Sequence, residues 1–323
     1  MKAALYRTTG DAAEVIRLED VERPEPGAGE VRVRLHVSGV NPTDWKARTG
    51  ATPRPIQGFQ IPHHDGAGEI DAVGEGVPEE RLGERVWVWL AAAGRPWGTA
   101  AQWTVVPAAQ ATPLPAGASY ELGACLGVPA LTAHRCLFAD GPLSGRDVLV
   151  TGGAGAVGHF AIELARWGGA RVAATVSGEA KAELARRAGA DLVVNYREPG
   201  AQAELRRFSS RFARIVEVNL AANLQMDLGL AGPDTVVVAY AADLEDPVLP
   251  VRACMSVNLV MRFVLLYGVA RPALEEAAAV VHRALADNAV TELPIVRFPL
   301  DRCAEAQEAV RSGVTGKVVL EIP

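Results

Sequence analysis

From Val31 to Val37 the chain reads VRVRLHV, with an apolar residue at every second position. The same period returns in ERVWVWL around Trp87 and in TAAQWTVV just after it. A period of two is that of a strand with one buried face, and the prolines and glycines between these runs mark turns. The first part of the chain is therefore expected to be rich in β-structure. At LPAGASYELGACLGVPALTAHRCLF the spacing changes to that of a helix starting near Ser119. From Asp147 onward, short apolar runs (DVLVTG, RVAATV, DLVVNY, RIVEV, TVVVAY) alternate with amphipathic stretches such as AVGHFAIELARWGG and EAKAELARRAGA. Strands that are apolar on both faces, separated by helices, predict a doubly wound parallel sheet covered on each side. After about Val260 come another apolar strand, the helix ALEEAAAVVHRALAD, the strand IVRFPL, a helix from Asp301 and the terminal strand KVVLEI. That tail is too small to stand alone. The reading is an α/β chain with a β-rich domain at residues 1–122, completed by 260–323, and a parallel-sheet domain at 123–259.

Composition narrows the function. A chain of 323 residues has room for two cores, and its 32 glycines and 21 prolines are spread rather than repeated. A net charge of -6 argues against nucleic acid or an anionic membrane as the main partner. The apolar stretch VNLVMRFVLLYGVA is interrupted by Arg262 and is too short for a bilayer span. MKAALYRTTG lacks the apolar run of a signal peptide. Cys125, Cys136, Cys254 and Cys303 lie far apart with no C-x-x-C pair, so a reducing, cytoplasmic location is expected.

The clearest chemistry lies in VLVTGGAGAVGHFAIELARWGGARV. Gly153, Gly155 and Gly158 stand in G-x-G-x-x-G spacing, interleaved with Ala154, Ala156 and Val157. The pattern follows a strand and opens a helix, the context in which backbone N–H groups and a helix N-terminus approach a pyrophosphate. The next strand, RVAATV, decides which dinucleotide. An NAD site places a carboxylate at that strand end to accept from the ribose hydroxyls. Here the end is Thr175, Val176 and Ser177. Ser177 can donate to a 2′-phosphate and Lys181 can neutralise it, with Tyr196 reaching over from the neighbouring strand. The opposing feature is Glu179, and Lys181 also reads as a solvated helix charge paired with it. NADPH is the expected cofactor.

The ordered set GVNPTDWKARTG, HHDGAGEIDAVGEGV, GERVWVW, LGVPALTAHRCL, VLVTGGAGAVGHFAIELARWGGARV, RAGADLVVNYRE and GVTGKVVLEI resembles the medium-chain dehydrogenase/reductase superfamily. Within it, the match is to the zinc-free, zeta-crystallin-like NADPH:quinone oxidoreductases, over nearly the whole chain. The resemblance implies a GroES-like catalytic domain, a Rossmann domain, a nicotinamide between them, and homodimers or homotetramers. It also bears on the pair His63–His64. Zinc-dependent members carry a Cys, a His–Glu pair and a second Cys at positions that are Asn41, His64 with Asp65, and Val128 in this sequence. A catalytic zinc takes three protein ligands, and Asn and Val do not replace two thiolates, so no metal is expected.

Without a Lewis acid, a conjugated acceptor is the easier substrate, because hydride addition leaves a delocalised oxyanion that hydrogen bonds can hold. The expected substrate is a quinone or an α,β-unsaturated carbonyl. An enoyl-thioester reductase and a non-catalytic NADPH-binding protein are the alternatives. The pocket candidates are Asn41, Asp44, Trp45, His64 and Thr132. His64 reads either as a donor to the substrate oxygen or as a turn residue. Asp44 reads as a pocket carboxylate or as the cap of the short helix TDWKAR, and Trp45 as a stacking surface or as core. The resemblance adds Tyr240, Phe263, Val264, Leu265 and Lys317 as groups approaching the cofactor, while the apolar strand there also reads as an intersubunit sheet edge.

Overall fold

Strand period and helix period divide the chain as the physical pattern dictates, and a computed structural model describes residues 1–242 and 246–323. Two units emerge, one of residues 1–128 with 292–323 and the other of residues 129–291.

In the first unit, β1 (Lys2–Leu5) and β2 (Arg17–Asp20) form an antiparallel pair flanking the four-residue helix α1 (Ala12–Val15). Its main sheet contains β3 (Glu30–Gly39), β4 (Asp65–Val73), β5 (Arg85–Val88), β6 (Trp103–Pro107), β7 (Ala111–Pro113), β14 (Ile295–Pro299) and β15 (Lys317–Glu321). The order is β14-β15-β3-β4-β5-β7, with β6 also on β3. The VRVRLHV alternation is the register of β3: Val31, Val33, Leu35 and Val37 are buried while Arg34 is exposed. Register shifts between Arg32 and Val33 and between Leu35 and Val37 coil the pairing of β3 with β4. Two longer helices of this unit, α2 (Pro42–Thr49) and α10 (Cys303–Arg311), are joined by the buried Arg48. Its guanidinium donates to Gln307 at 2.8 Å and to Glu308 at 2.6 Å.

Helix α3 (Tyr120–Phe138) starts in the first unit and ends in the second. The division falls at Pro129 inside it. The proline ring removes the N–H that would have bonded to the carbonyl of Cys125.

The second unit is a six-stranded parallel sheet of β8 (Asp147–Val150), β9 (Arg171–Val176), β10 (Leu192–Asn195), β11 (Arg214–Glu217), β12 (Val236–Ala239) and β13 (Val260–Phe263). The order is β10-β9-β8-β11-β12-β13, with the doubly wound reversal between β8 and β11. Helices α4 (Ala156–Trp167), α5 (Glu179–Arg187), α6 (Ala201–Phe208), α7 (Leu220–Leu230) and α8 (Val251–Ser256) connect the strands, and α9 (Arg271–Ala286) follows. Val148, Leu149 and Val150 have no exposed surface, which is why their run carries no polar residue. No helix among the described residues is long and apolar enough to cross a membrane.

One expectation needs correction. The chain returns to the first unit at Glu292, not at 260, and leaves it after Val128, not after 122. The reason is pairing: β13 is hydrogen-bonded in parallel to β12, and α9 packs on α4, so both belong to the second unit.

Candidate active site and dinucleotide-binding turn

In the first unit, β4 begins at Asp65, and the two histidines before it turn in different directions. His63 has φ 75°, a left-handed conformation uncommon outside glycine. Its ring is fully buried: Nε2 accepts from the Gln307 amide at 3.3 Å and Nδ1 lies 3.0 Å from Ser38 Oγ. Ser38 is 2.8 Å from Thr99 Oγ1, which donates to the Asp65 carbonyl at 2.6 Å. A proton on Nδ1 lets this chain run in one direction from His63 to Asp65. Burial, with the charge of Lys317 behind it, pushes the His63 imidazolium down to about 3, so the ring is neutral.

His64 is equally buried, and its Nε2 lies 2.9 Å from Arg54 Nη1. A guanidinium has only donors, so Nε2 is the acceptor and the ring proton sits on Nδ1. Burial, and next the charge of Arg54, holds the His64 pKa well below the usual imidazole range. His64 was expected either as a donor to substrate or as a turn residue; its Nε2 accepts from Arg54, and Nδ1–H is the ring's one donor. Arg54 also donates to Thr43 Oγ1 at 3.1 Å.

Asp65 organises the residues expected at the zinc-ligand positions. Its Oδ2 accepts from Asn41 Nδ2 at 2.7 Å and its Oδ1 from the Val128 N–H at 2.8 Å. Gly127 permits this approach, since a Cβ there would lie 2.1 Å from Asp65 Oδ1. The Lys317 ammonium completes the network by donating to Asn41 Oδ1 at 2.5 Å. Burial raises the Asp65 carboxyl to about 6, against the opposing pull of Lys317, Asn41 and Val128. A zinc ion bound at Asn41 would have to compete with the Lys317 ammonium for Asn41 Oδ1. These residues do not form a zinc donor set, and among the described residues no group of three or more His, Cys, Asp or Glu is arranged to hold a metal.

The other pocket candidates separate. Asp44 Oδ2 accepts from the Asn41 N–H at 2.7 Å, so the carboxyl closes the first turn of α2, and burial raises it to about 7. Trp45 is half-buried with the cations of Lys46 and Arg311 each 5.8 Å from its ring centre. Thr132 is buried on the part of α3 that belongs to the second unit. Lys317, expected to approach the cofactor, is only 3% exposed and is committed to Asn41. Arg54 was not singled out by the sequence. Its only local signal is a cation between two prolines, Pro53 and Pro55, in an otherwise weakly patterned loop.

In the second unit, β8 runs into the turn 151–155 and then into α4. Gly152, just before the G-x-G-x-x-G set, is the left-handed residue of the turn, with φ 66°. Gly158 lets α4 pack on it, since a Cβ there would lie 2.3 Å from the Gly152 carbonyl oxygen. Beyond the turn, the first N–H groups of α4, from Ala156, Val157 and Gly158, have no partner within the helix. Val176 and Asn195 are paired across β9 and β10, and the Tyr196 N–H donates to the Val176 carbonyl at 3.0 Å. Ser177 and Tyr196 therefore leave neighbouring strands side by side. Lys181 is exposed on the first part of α5, and Glu179 is drawn away by Arg186 at 2.6 Å. The strand end thus holds a hydroxyl, a phenol and a cation with its one carboxylate neutralised, a donor set that fits a 2′-phosphate. Tyr240, Phe263, Val264 and Leu265 come together in one pocket of about 310 Å³ with Leu220 and Asp246.

Residues 27–116 match the alcohol dehydrogenase GroES-like domain and residues 156–283 the zinc-binding dehydrogenase family. The mouse (Mus musculus) quinone oxidoreductase is 30% identical over 319 residues, covering 95% of this chain and 94% of its own. The rat (Rattus norvegicus) quinone oxidoreductase is 29% identical over 315 residues with the same coverage. Among solved structures, an NAD-dependent alcohol dehydrogenase superposes with TM-score 0.90 at 27% identity, covering all of both chains. A mycobacterial protein complexed with NADPH superposes with TM-score 0.85 at 27% identity, covering 99% of this chain and all of its own. With a GroES-like unit, a Rossmann-type unit and near full-length similarity to these relatives, the chain belongs to the quinone oxidoreductase family of the medium-chain dehydrogenase/reductase superfamily.

Proposed function

We propose that this oxidoreductase is NADPH-dependent and zinc-independent and reduces a quinone or an α,β-unsaturated carbonyl. The observation that carries the reading is the buried Lys317–Asn41–Asp65 network. It commits Asn41, one of the positions where zinc-dependent relatives carry a thiolate, to an ammonium and a carboxylate, which favours an acceptor that stabilises its developing charge through conjugation.

NADPH, when bound, supplies the hydride. The chain's own contribution is to bind and orient. The turn 151–155 and the start of α4 offer N–H groups to the pyrophosphate, and Ser177, Lys181 and Tyr196 surround the 2′-phosphate. Tyr240, Phe263, Val264 and Leu265 give the second unit an apolar pocket. Asp44 and Asn41 help to hold the frame of the first unit, Asp44 by accepting from the Asn41 N–H and Asn41 by donating to Asp65. The chain also pairs with a second copy along β13. This strand ends the sheet among the described residues, and its Phe263 and the following Leu265 are each 71% exposed.

The test is a panel of quinones, enones, enoyl thioesters and simple ketones, assayed with NADPH and NADH in metal-free buffer. Turnover of the conjugated acceptors with a clear NADPH preference supports the reading. Activity that requires added zinc, or faster reduction of simple ketones, overturns it.

A further inference from the structure

We propose that the recess between Tyr6 and Asp44 binds one water molecule, that these two side chains are its positioning residues, and that this water passes on the proton that completes the reduction. The proposal rests on the reductase reading for its reaction, while the water site itself can be observed without it.

The recess lies within the first unit and has a volume of about 20 Å³, room for one water. Its wall includes Tyr6, Asp44, Arg54, Pro55 and His64. Tyr6 is fixed by its backbone: its N–H donates to the Gln60 carbonyl at 3.0 Å and its carbonyl accepts from the Gln60 N–H at 2.8 Å. The residue is 4% exposed, and its phenol has no hydrogen-bonding partner among the described residues. Asp44 is equally buried; its Oδ2 accepts from the Asn41 N–H, and no described group donates to its Oδ1. Two buried polar groups with unused hydrogen-bonding capacity therefore share a space of one water's size, and a water there satisfies both.

The proton positions follow from the same bonds. With the Asn41 N–H on Oδ2, a protonated Asp44 carries its proton on Oδ1 and donates it to the water. Burial is the main cause that raises this carboxyl to about 7; Asp65 adds to the rise, and Lys317 and Arg54 oppose it. That is the range in which an acid both holds a proton and gives it up near neutral pH. The other titratable groups around Asp44 are uncharged there. Burial, and next Asp44 itself, pushes the Tyr6 phenol up to about 12, so it keeps its proton and only orients the water. His63 and His64 are neutral, and burial raises the Cys303 thiol. Arg54 and the Nδ1–H of His64 can hold an oxygen by hydrogen bonds, but a guanidinium keeps its protons and a neutral imidazole would have to become an imidazolate. Asp65 accepts a hydrogen bond on each oxygen and is held as a carboxylate.

Once hydride has reached the acceptor, one O–H bond of the water breaks and its proton bonds to the acceptor anion. The Asp44 O–H bond breaks in turn and its proton restores the water. No electrons are exchanged with Asp44 or the water, and the carboxylate regains a proton from bulk solvent, which meets the recess at the exposed Pro55.

The experiment compares full-length wild type, Asp44→Asn, Tyr6→Phe and the double variant. The readouts are kcat on the conjugated acceptors from pH 6 to pH 9, NADPH affinity by fluorescence, and crystal structures of the wild type and Tyr6→Phe. The wild type should hold a water within hydrogen-bond distance of Tyr6 Oη and Asp44 Oδ1, and its kcat should fall about tenfold per pH unit above about pH 7. Asp44→Asn is expected to lose about 10²-fold in kcat and to lose that pH dependence, because an amide holds the water but gives it no proton. Tyr6→Phe should lose the water and about tenfold in kcat. The double variant should be no slower than Asp44→Asn alone, since both changes break one relay; a merely structural role would add the losses and keep the pH dependence. NADPH affinity should stay unchanged, because the turn 151–155 and the 2′-phosphate groups lie in the other unit. If Asp44→Asn does not fold, Tyr6→Phe is read alone. A wild-type recess without water, an unchanged pH dependence in folded Asp44→Asn, or an unchanged kcat in Tyr6→Phe overturns the relay. A wild type that holds the water but reduces no acceptor on the panel overturns the relay and the reductase reading together and leaves the water site supported.

Discussion

Asp227→Asn should make the chain more stable as pH rises relative to the wild type, although it removes a buried hydrogen-bonding acid. Glu217 ends β11 and is fully buried, and its Oε1 accepts from the Asn219 N–H at 2.5 Å and from Asn223 Nδ2 at 2.8 Å. Asp227 on α7 is 1% exposed and is in electrostatic and hydrogen-bonding contact with Glu217. Both Asp227 oxygens and Glu217 Oε2 are buried and receive no hydrogen bond from any other described group. Where the two carboxyl groups face each other, a proton on Asp227 supplies the hydrogen bond to Glu217. Burial, and then the neighbouring Glu217 charge, holds Asp227 far above the ordinary carboxyl range.

The sign of the pH dependence follows from proton counting. Below the ordinary Asp pKa both folded and unfolded chains hold the proton and the contribution to stability is complete. Above it the unfolded chain releases the proton while the folded chain keeps it. Stability then falls by about 1.4 kcal/mol for each pH unit until the raised folded pKa is reached. The amide introduced by Asp227→Asn has no proton to retain and can donate an N–H to Glu217 Oε2. The stability difference between variant and wild type should therefore grow by roughly 2.8 kcal/mol between pH 6 and pH 8. Urea denaturation followed by circular dichroism at pH 6, 7 and 8 measures it. Parallel pH dependences for the two proteins would refute the shared-proton argument.

Three further substitutions test other parts of the structure. Lys181→Ala should weaken NADPH binding by roughly 1–3 kcal/mol and leave NADH nearly unchanged, as titration of both cofactors would show; equal losses would remove Lys181 from the 2′-phosphate site. Lys317→Met strips the buried cation from Asn41 and Asp65 and should cost about 3–5 kcal/mol of stability in urea denaturation, whereas a neutral result would show that the ammonium does not hold the network. Phe263→Lys places a charge on the exposed β13 edge and should shift a dimer toward monomer in light scattering coupled to gel filtration, and an unchanged mass would move the subunit contact elsewhere.

What the sequence made legible was local. The period of β3, the turn before α4 and the cap at Asp44 all depend on residues a few positions apart, and pattern reading reached them. What it missed depends on pairing across the chain. The apolar run at Val260 has the same pattern whichever sheet it joins, and only its hydrogen bonds to β12 assign it to the second unit. The Lys317 ammonium and Asn41 are 276 positions apart, so no spacing could reveal that a buried cation sits on an amide beside Asp65. His64 shows the same limit at shorter range. Its position was readable from the glycine-rich turn, yet its role as acceptor was set by a guanidinium ten residues earlier in a loop without periodicity. The protonation state of a buried imidazole depends on the partner opposite each nitrogen. Identifying His64 as a site residue therefore left its tautomer open until Arg54 was found against Nε2, and that contact puts the ring proton on Nδ1.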